Sequence, residues 1–408
     1  MVNINIMNIV IAGVGYVGLV SGLGLAKLGH DIQFLDIDEE KINTLSRGES
    51  PFFEPELNLY LNNKDFCERF NFTDKYEDIK WDDAEIFMIC VQTPTSKTGE
   101  IDTSFLRGVF KASSVYLNDK TIICIKSTIH PLGIDKLLEE FNTLKDKVVF
   151  NPEFLREGRA FYDFFNPDRI VIGSNNEKNS KIVSTIYESI NSEFVFTDPI
   201  SSQLIKYLSN AYLPLRLSFV NEASQIIDTM GGNLKQVLEG IGLDSRIGST
   251  YFRPSPGWGG SCFPKDVKEI NNISDVYSLD LPLIGNIINS NNNHMSWFKD
   301  KILKIKKDNS LKNIIFIGAA FKEDTDDLRD SPTIKIYDLL KEELNDVYIY
   351  DNLVNLPDRY KKVQKFADSS VLIEMYPLDN ATFNNNMLKI NELNDIFYFR
   401  FWEDSLDI

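Results

Sequence analysis

The chain has 408 residues, of which 43% are hydrophobic and 25% are charged, and its formal net charge is −17. These values are typical of a globular protein with two or three domains, and the acidic charge argues against nucleic acid or an anionic membrane surface as the main partner. The four cysteines have neither disulfide-type nor metal-type spacing, so we expect no bound metal, and the sequence lacks an apolar run or a leader that would indicate membrane insertion or export. We therefore expect a cytoplasmic protein.

The first motif is GVGYVG at residues 13–18, which follows a β-rich run and precedes small and apolar residues at helical spacing. This order predicts a strand, a tight turn and a helix. Gly13 permits the turn, Gly15 lets a pyrophosphate approach the helix N-terminus, and Gly18 lets the helix pack against the strand. The motif is typical of a dinucleotide site.

A second strand is predicted at residues 30–36 and ends in Asp36. At this distance from the glycine motif, a carboxylate hydrogen-bonds the 2′-hydroxyl of the adenosine ribose. Because Asp36 would repel the 2′-phosphate of NADP, the sequence predicts NAD as the cofactor.

Further apolar strands are predicted at residues 86–91, 121–125 and 147–150. The first two end in the polar turns QTPT, residues 92–95, and KST, residues 126–128. Ligands of an open parallel sheet lie outside the carboxyl ends of its strands, so we expect these turns to border the nicotinamide. With helices between the strands, the pattern indicates a doubly wound α/β domain.

The segment after the third of these strands, NPEFLREG, contains Glu153 and Glu157 four residues apart. If the segment is helical, the two carboxylates share one face. Such a pair either performs acid–base chemistry beside a cleft or forms an ordinary solvated surface, and the spacing leaves both interpretations open.

A long helix is predicted at residues 202–230, where apolar residues recur at helical spacing before a glycine pair. Lys206 and Asn210 lie one turn apart on it, which indicates a shared polar site, although a lysine on a helix is ordinarily just solvated. We expect Pro214 to bend or interrupt this helix. Another helix is predicted at residues 234–240.

The stretch PGWGGSCFPKD, residues 256–266, places Cys262 behind paired glycines. Glycines let a backbone approach a ligand closely, and a neighbouring cation such as Lys265 favours the reactive thiolate. The sequence therefore indicates a nucleophilic cysteine, with Asp266 as a nearby acid. The alternative is a buried cysteine in an ordinary glycine-rich loop.

A second α/β unit is predicted from strands at residues 312–318 and 346–351 and a helix at residues 330–344. Its turn has one glycine where a dinucleotide motif has three, so we expect no second dinucleotide there. Lys322 and Arg329, in the turn FKEDTDDLR, either bind another phosphate or pair with the acids between them. We expect the chain after residue 352 to be irregular.

The chain resembles the UDP-glucose/GDP-mannose dehydrogenase family over nearly its full length. The resemblance rests on six motifs in the family's order: GVGYVG, NPEFLREGRA, PDRIVIG, LIKYLSNAYL, GGSCFPKD and FKEDTDDLRDSP. It implies two Rossmann-like doubly wound domains joined by a long central helix and a helical middle region. The implied domains are 1–197 for NAD, 198–305 for dimerisation and the cysteine loop, and 306–408 for the UDP-sugar.

The resemblance also implies a four-electron oxidation of a sugar CH2OH group to a carboxylate by two NAD, with a thiohemiacetal and then a thioester on Cys262. The first base is Lys206 or a water ordered by it, and Glu153 or Glu157 with Asp266 are the candidate bases for thioester hydrolysis. The catalytic residues carried over are Cys262, Lys206, Asn210, Asp266, Glu153, Glu157 and Thr128.

Two further sets of residues are implied by the same resemblance. The cofactor side comprises Gly13, Gly15, Tyr16, Val17, Gly18, Asp36, Lys41, Thr93, Thr128, Glu157, Lys265 and Arg329. The substrate side comprises Glu153, Phe154, Leu155, Glu157, Lys206, Asn210, Arg246, Tyr251, Arg253, Gly259, Phe321 and Lys322. Arg246 matches a position that reaches the neighbouring subunit's substrate, which implies a homodimer.

The motifs FPKD and PDRIVIG are most similar to members of the family that oxidise UDP-glucose to UDP-glucuronate, a precursor of surface polysaccharides. Two departures from the family stand out: Trp258 replaces the usual Phe or Tyr of the pocket wall, and the C-terminal region lacks the common Asp-x-Arg-Asn ending. Three alternatives remain: oxidation of GDP-mannose or UDP-N-acetylmannosamine by the same mechanism, a two-electron hydroxyacid dehydrogenase, and a nucleotide-sugar sensor without turnover.

Overall fold

The structure is a computed structural model that describes residues 6–94 and 102–402. The chain divides into two compact units, Met1–Leu208 and Ser209–Ile408. The expected partition into three domains, with boundaries after residues 197 and 305, stays a prediction.

The first unit is built around one sheet. Its strands are β1 Asn8–Ala12, β2 Asp31–Leu35, β3 Phe70–Thr73, β4 Ile86–Ile89, β5 Ile122–Ile125, β6 Val148–Phe150, β7 Arg169–Gly173 and β8 Glu193–Thr197. Its helices are α1 Tyr16–Lys27, α2 Glu39–Ser46, α3 Leu57–Leu61, α4 Ser104–Ser113, α5 Pro131–Glu140, α6 Ala160–Phe165 and α7 Glu177–Thr185, and α8, Pro199–Met230, continues into the second unit.

The strand order is β3-β2-β1-β4-β5-β6-β7-β8. Strands β1 to β6 run parallel, and β7 pairs with β6 in the antiparallel direction. Both faces of the sheet are covered: Ile9 and Ile11 of β1 pack into one core, and Val10 and Ala12 pack into the other. Burial on both faces explains why these strands read as continuous apolar runs.

The second unit contains a parallel sheet in the order β10-β9-β11-β12, formed by β9 Asn313–Ile317, β10 Val347–Tyr350, β11 Ser370–Glu374 and β12 Ile396–Arg400. Its remaining helices are α9 Leu234–Gly242, α10 Phe263–Tyr277, α11 Pro282–Gly285, α12 Ile287–Asp308, α13 Pro332–Lys341 and α14 Asn380–Ile390. Two α/β sheets, a long helix and a helical region confirm the predicted fold class.

The structure corrects one expectation and adds two details. Helix α1 begins at Tyr16, inside the glycine motif, because the turn is already completed there. The chain after residue 352 is regular: β11 is buried along its whole length between β9 and β12, and such a short two-sided strand has no alternating pattern to reveal it. Strands β3, β7 and β8 were not predicted.

Helix α8 is continuous through Pro214 and ends before Gly231, whose φ of +67° suits glycine. The predicted stop is confirmed, and Pro214 does not interrupt the helix. None of the described helices combines the length and the apolar character needed to cross a bilayer.

Candidate active site

The three glycines of the first motif face three different surroundings. Gly13 has a φ of +92°, and a Cβ placed on it would lie 2.8 Å from the backbone nitrogen of Val91. A Cβ on Gly18 would lie 2.0 Å from the carbonyl oxygen of Gly13, whereas one on Gly15 would meet no atom within 4 Å. Gly15 is the N-cap of α1, so the open space lies beside the unsatisfied amides of a helix N-terminus, with Tyr16 and Val17 in its first turn. This cradle fits the pyrophosphate of a dinucleotide.

Asp36 stands directly after β2, as predicted. Its Oδ2 accepts hydrogen bonds from the backbone N–H of Val14, at 2.7 Å, and from Nζ of Lys41, at 3.0 Å. The carboxylate is therefore fixed against the glycine turn. Lys41, expected on the cofactor side, is held there by the same acid.

The ends of β4 and β5 are joined by a hydrogen bond from Oγ1 of Thr93 to the backbone carbonyl of Thr128, at 2.8 Å. The structure thus brings together the two threonines expected near the nicotinamide. Thr95, the last residue of the QTPT turn, lies outside the described residues.

Glu153 and Lys206 form an ion pair with 2.9 Å between Oε1 and Nζ, and Nζ also donates to the Glu153 carbonyl oxygen at 2.6 Å. Burial tends to raise the pKa of Glu153, but the adjacent ammonium and the N–H of Leu155 outweigh it and hold the pKa below its ordinary value. The centre of the Phe154 ring lies 5.2 Å from the Lys206 Nζ.

The condition for a shared helical face of Glu153 and Glu157 is not met, because residues 151–156 have no helical hydrogen bonding and α6 begins only at Ala160. Both carboxylates nevertheless act electrostatically on Tyr16. Burial raises the pKa of Tyr16, and the carboxylates of Glu54, Glu157 and Glu153 raise it further.

Glu54 is a residue that sequence reasoning missed. Its carboxylate is buried and accepts from the backbone N–H of Gly158 at 2.7 Å and of Ala160 at 2.8 Å, which ties down the segment that carries both predicted acids. The partners are more than 100 residues apart, so no local pattern could reveal the contact.

Cys262 is exposed and is the N-cap residue of α10. The positive end of a helix dipole stabilises negative charge, including that of a thiolate. Two other cysteines are unsuited to such chemistry, because burial raises the pKa of Cys90 and of Cys124 to about 12. The residues after the sulfur form the first turn of α10, which contains Pro264.

Asp266 lies in the same turn and is 1% exposed. Its Oδ2 accepts from Nδ2 of Asn210 at 2.7 Å, and its Oδ1 lies 3.2 Å from Nζ of Lys265. Two of the expected catalytic residues, Asn210 and Asp266, are thus brought together. Lys265, expected to face the cofactor, is paired with this buried carboxylate.

The glycines before Cys262 lie against the turn that contains Phe321 and Arg329. The N–H of Gly260 donates to the carbonyl of Arg329 at 3.0 Å, and a Cβ on Gly260 would lie 2.8 Å from the Phe321 ring. A Cβ on Gly259 would lie 2.0 Å from the carbonyl oxygen of Asp330. Glycine is required at both positions by this contact.

Arg329, expected on the cofactor side, and the remaining predicted substrate residues lie at the surface or are partly exposed. Arg329 pairs with Asp327 at 2.7 Å, which is the ion-pair alternative, and Lys322 lies 5.8 Å from the ring of Phe321. Arg253 pairs with Glu323, and Tyr251 has a φ of +54°. Arg246 is 86% exposed and contacts Asp244.

Trp258 is buried, and its indole N–H donates to Oγ of Ser218 at 2.9 Å. The expectation that it forms a pocket wall stays a prediction. Its side chain anchors the loop to α8.

Comparisons with known proteins agree with these features. Family profiles match the NAD binding domain at residues 7–191, the central domain at residues 200–293 and the UDP binding domain at residues 315–379. A UDP-glucose 6-dehydrogenase of Rickettsia bellii is 39% identical over 381 residues, which cover 90% of this chain and 86% of that protein.

Two solved structures share the fold. A UDP-glucose dehydrogenase from Pyrobaculum islandicum, 25% identical, covers 99% of both chains with a TM-score of 0.84. A UDP-D-ManNAc dehydrogenase from Pyrococcus horikoshii, 24% identical, covers 97% of this chain and 95% of its own with a TM-score of 0.82. The cofactor is NAD, since the glycine motif and Asp36 lie within the matched NAD binding domain. This chain is a member of the UDP-glucose/GDP-mannose dehydrogenase family.

Proposed function

We propose that the protein is a UDP-glucose 6-dehydrogenase, which oxidises the C6 hydroxymethyl group of UDP-glucose to the carboxylate of UDP-glucuronate. The observation that carries the proposal is the exposed Cys262 at the N-terminus of α10, with the Asn210–Asp266 pair one turn further on. UDP-glucose is favoured over other nucleotide sugars because the relative from Rickettsia bellii bears that name.

Bound NAD supplies the hydride acceptor for both oxidations. In the first oxidation the C6 hydroxyl loses its proton as C6 loses a hydride. Lys206 donates to the carboxylate and the carbonyl of Glu153, and an ammonium in this state is a donor. We therefore favour Lys206 as the group that orients a water and stabilises the developing alkoxide, with the water taking the proton.

In the second oxidation the Cys262 thiolate adds to the aldehyde carbon, and the former carbonyl oxygen takes a proton to give a thiohemiacetal. Loss of that proton and of the C6 hydride leaves a thioester. Water then attacks the thioester carbon and expels the thiolate. Asp266, oriented by Asn210, and Glu153 or Glu157 are the proposed bases for this hydrolysis.

The other roles remain proposals of the same kind. We assign Thr93 and Thr128 to the nicotinamide side and Asp36 to the ribose, since each stands at the carboxyl end of a parallel strand. The turn with Phe321 and Lys322 is assigned to the nucleotide sugar, because the glycines before the nucleophile pack against it.

We also propose a homodimer. Tyr212, Phe219 and Ile226 of α8 are 57%, 57% and 66% exposed, and their spacing of seven residues places them on one face of the helix. A second copy would cover this apolar stripe with the same stripe around a two-fold axis. Arg246, exposed on the same unit, is proposed to reach the partner's substrate.

We further propose that the protein is cytoplasmic and that its product supplies glucuronate for polysaccharide.

The deciding experiment is the NADH yield from limiting UDP-glucose, GDP-mannose and UDP-N-acetylmannosamine. We expect about two NADH per UDP-glucose, and a Cys262→Ser variant that fails to complete the second oxidation. Turnover of another sugar with none of UDP-glucose would contradict the substrate. About one NADH per sugar, unaffected by Cys262→Ser, would instead indicate a two-electron dehydrogenase, and binding without turnover would indicate a sensor.

A further inference from the structure

The loop that leads into Cys262 is held at Ser255 by two helices. Its backbone N–H donates to Oδ1 of Asn221, on α8, at 2.9 Å. Its carbonyl accepts from Nε2 of His294, on α12, also at 2.9 Å. Nδ1 of His294 accepts from the amide nitrogen of Gln225, so the ring is neutral and carries its proton on Nε2.

Three residues further on, one side chain binds both backbone polar groups of Trp258. Oδ1 of Asn291 accepts from the Trp258 N–H at 3.0 Å, and Nδ2 of Asn291 donates to the Trp258 carbonyl at 2.8 Å. This pairing is the one that a neighbouring β-strand would offer. Asn291 is 3% exposed, and no water can replace it without opening the core.

After Trp258 the chain has little slack before the sulfur. Gly259 and Gly260 lie against the backbone of residues 329–330, with no room for a side chain on Gly259. Cys262 then begins α10. The position of Sγ therefore depends on where Trp258 is fixed.

We infer that Asn291 and His294 are positioning residues for the Cys262 nucleophile. They hold the loop of residues 255–261, so that the Cys262 thiolate adds to the aldehyde before the aldehyde leaves the site. The inference rests on the proposed function. Neither residue touches the reacting atoms, and the first oxidation does not need the thiol, so a loosened loop should uncouple the two oxidations.

The test is the number of NADH formed per UDP-glucose consumed, together with capture of released aldehyde by semicarbazide. Asn291→Leu, which keeps the side-chain size and removes both hydrogen bonds, should lower the ratio from about two toward one and release aldehyde. Asn293→Leu, an exposed position on the same helix, is the matched control and should keep the wild-type ratio. Partial unfolding lowers NADH and substrate consumption equally, so it does not change this ratio.

If Asn291→Leu does not fold, a second pair of variants, at His294, tests the same inference. Glutamine at position 294 retains an N–H near the position of Nε2, so His294→Gln should keep a ratio near that of the wild type, whereas His294→Leu should lower it. Ratios equal to the control in Asn291→Leu and His294→Leu would overturn the positioning role. A wild-type ratio of about one would overturn the proposed function instead, so the two failures are distinguishable.

Discussion

Lys206 neutralises Glu153 in a nearly water-free setting: the side chains are 4% and 10% exposed, and the two residues are 53 positions apart in sequence. Two hydrogen bonds, to the carboxylate and to the carbonyl of the same residue, fix the ammonium. Removing one partner of a buried ion pair leaves an uncompensated charge, and this lowers the unfolding free energy by more than the intact pair contributes to it.

Removal of Lys206 should therefore destabilise the protein. We expect Lys206→Met to lower the unfolding free energy by about 3 kcal/mol at neutral pH, and Lys206→Met with Glu153→Gln to recover part of this loss. The folded pKa of Glu153 is lowered, so its stabilising contribution is present at neutral pH and is lost as the pH falls through that value. Denaturant titrations at several pH values give the unfolding free energies of the wild type, Lys206→Met, Glu153→Gln and the double variant. A double variant that is no more stable than Lys206→Met would contradict the pairing.

The glycine motif offers two substitutions with opposite results. Gly15→Ala has open space and a φ of −84°, so its stability should change by less than about 0.5 kcal/mol, while its methyl group should weaken NAD binding at least about tenfold. Gly18→Ala meets the Gly13 carbonyl at 2.0 Å and should lower the melting temperature. Calorimetric titration measures the NAD affinity of both variants, and thermal melts measure their stability. A wild-type NAD affinity in Gly15→Ala would contradict the assignment of the pyrophosphate to the space beside Gly15.

Cofactor choice should depend on Asp36. Asp36→Asn keeps an acceptor for the Val14 N–H but removes the charge, and it releases Lys41 for a 2′-phosphate. We expect the NADP-to-NAD ratio of kcat/KM to rise by about tenfold or more. Adding Lys41→Met to this variant is the control, and it should abolish the gain if Lys41 meets the phosphate.

His294 should make the second unit sensitive to acid. Burial lowers the pKa of His294 from its ordinary value of 6.5 to about 4, despite its hydrogen bond to Ser255. Because the unfolded chain takes up the proton first, this contribution to stability is complete above pH 6.5 and is lost as the pH falls toward 4. Unfolding free energies from pH 7 to pH 4 should fall less steeply in His294→Gln, and parallel curves would contradict the expectation.

The proposed role of Arg246 across the dimer predicts complementation. Arg246→Ala and Cys262→Ser should each be inactive alone. After the two are unfolded and refolded together, mixed dimers should regain about a quarter of the wild-type sites in an equal mixture. Steady-state NADH formation measures this, with each variant refolded alone as the control. No recovery despite proven mixed dimers would place Arg246 in its own subunit's site.

Residues that are close in sequence were sufficient to predict the cofactor half of the site. The turn, the open helix N-terminus and Asp36 follow from residues close in sequence, because strand, turn and helix are short-range structures with their own residue preferences. Cys262 was also identifiable as a candidate nucleophile, since the glycines and the proline around it are a local pattern.

The sequence by itself therefore determined the α/β class and the NAD motif, and it singled out Cys262 as the candidate nucleophile. Only the tertiary structure decided that Glu153 pairs with Lys206, that Glu54 holds the acidic segment, and that Asn291 binds Trp258. These contacts join residues 33 to 106 positions apart, and each depends on which faces the fold brings together. A buried polar side chain must find a partner, but no periodicity in the chain states which one.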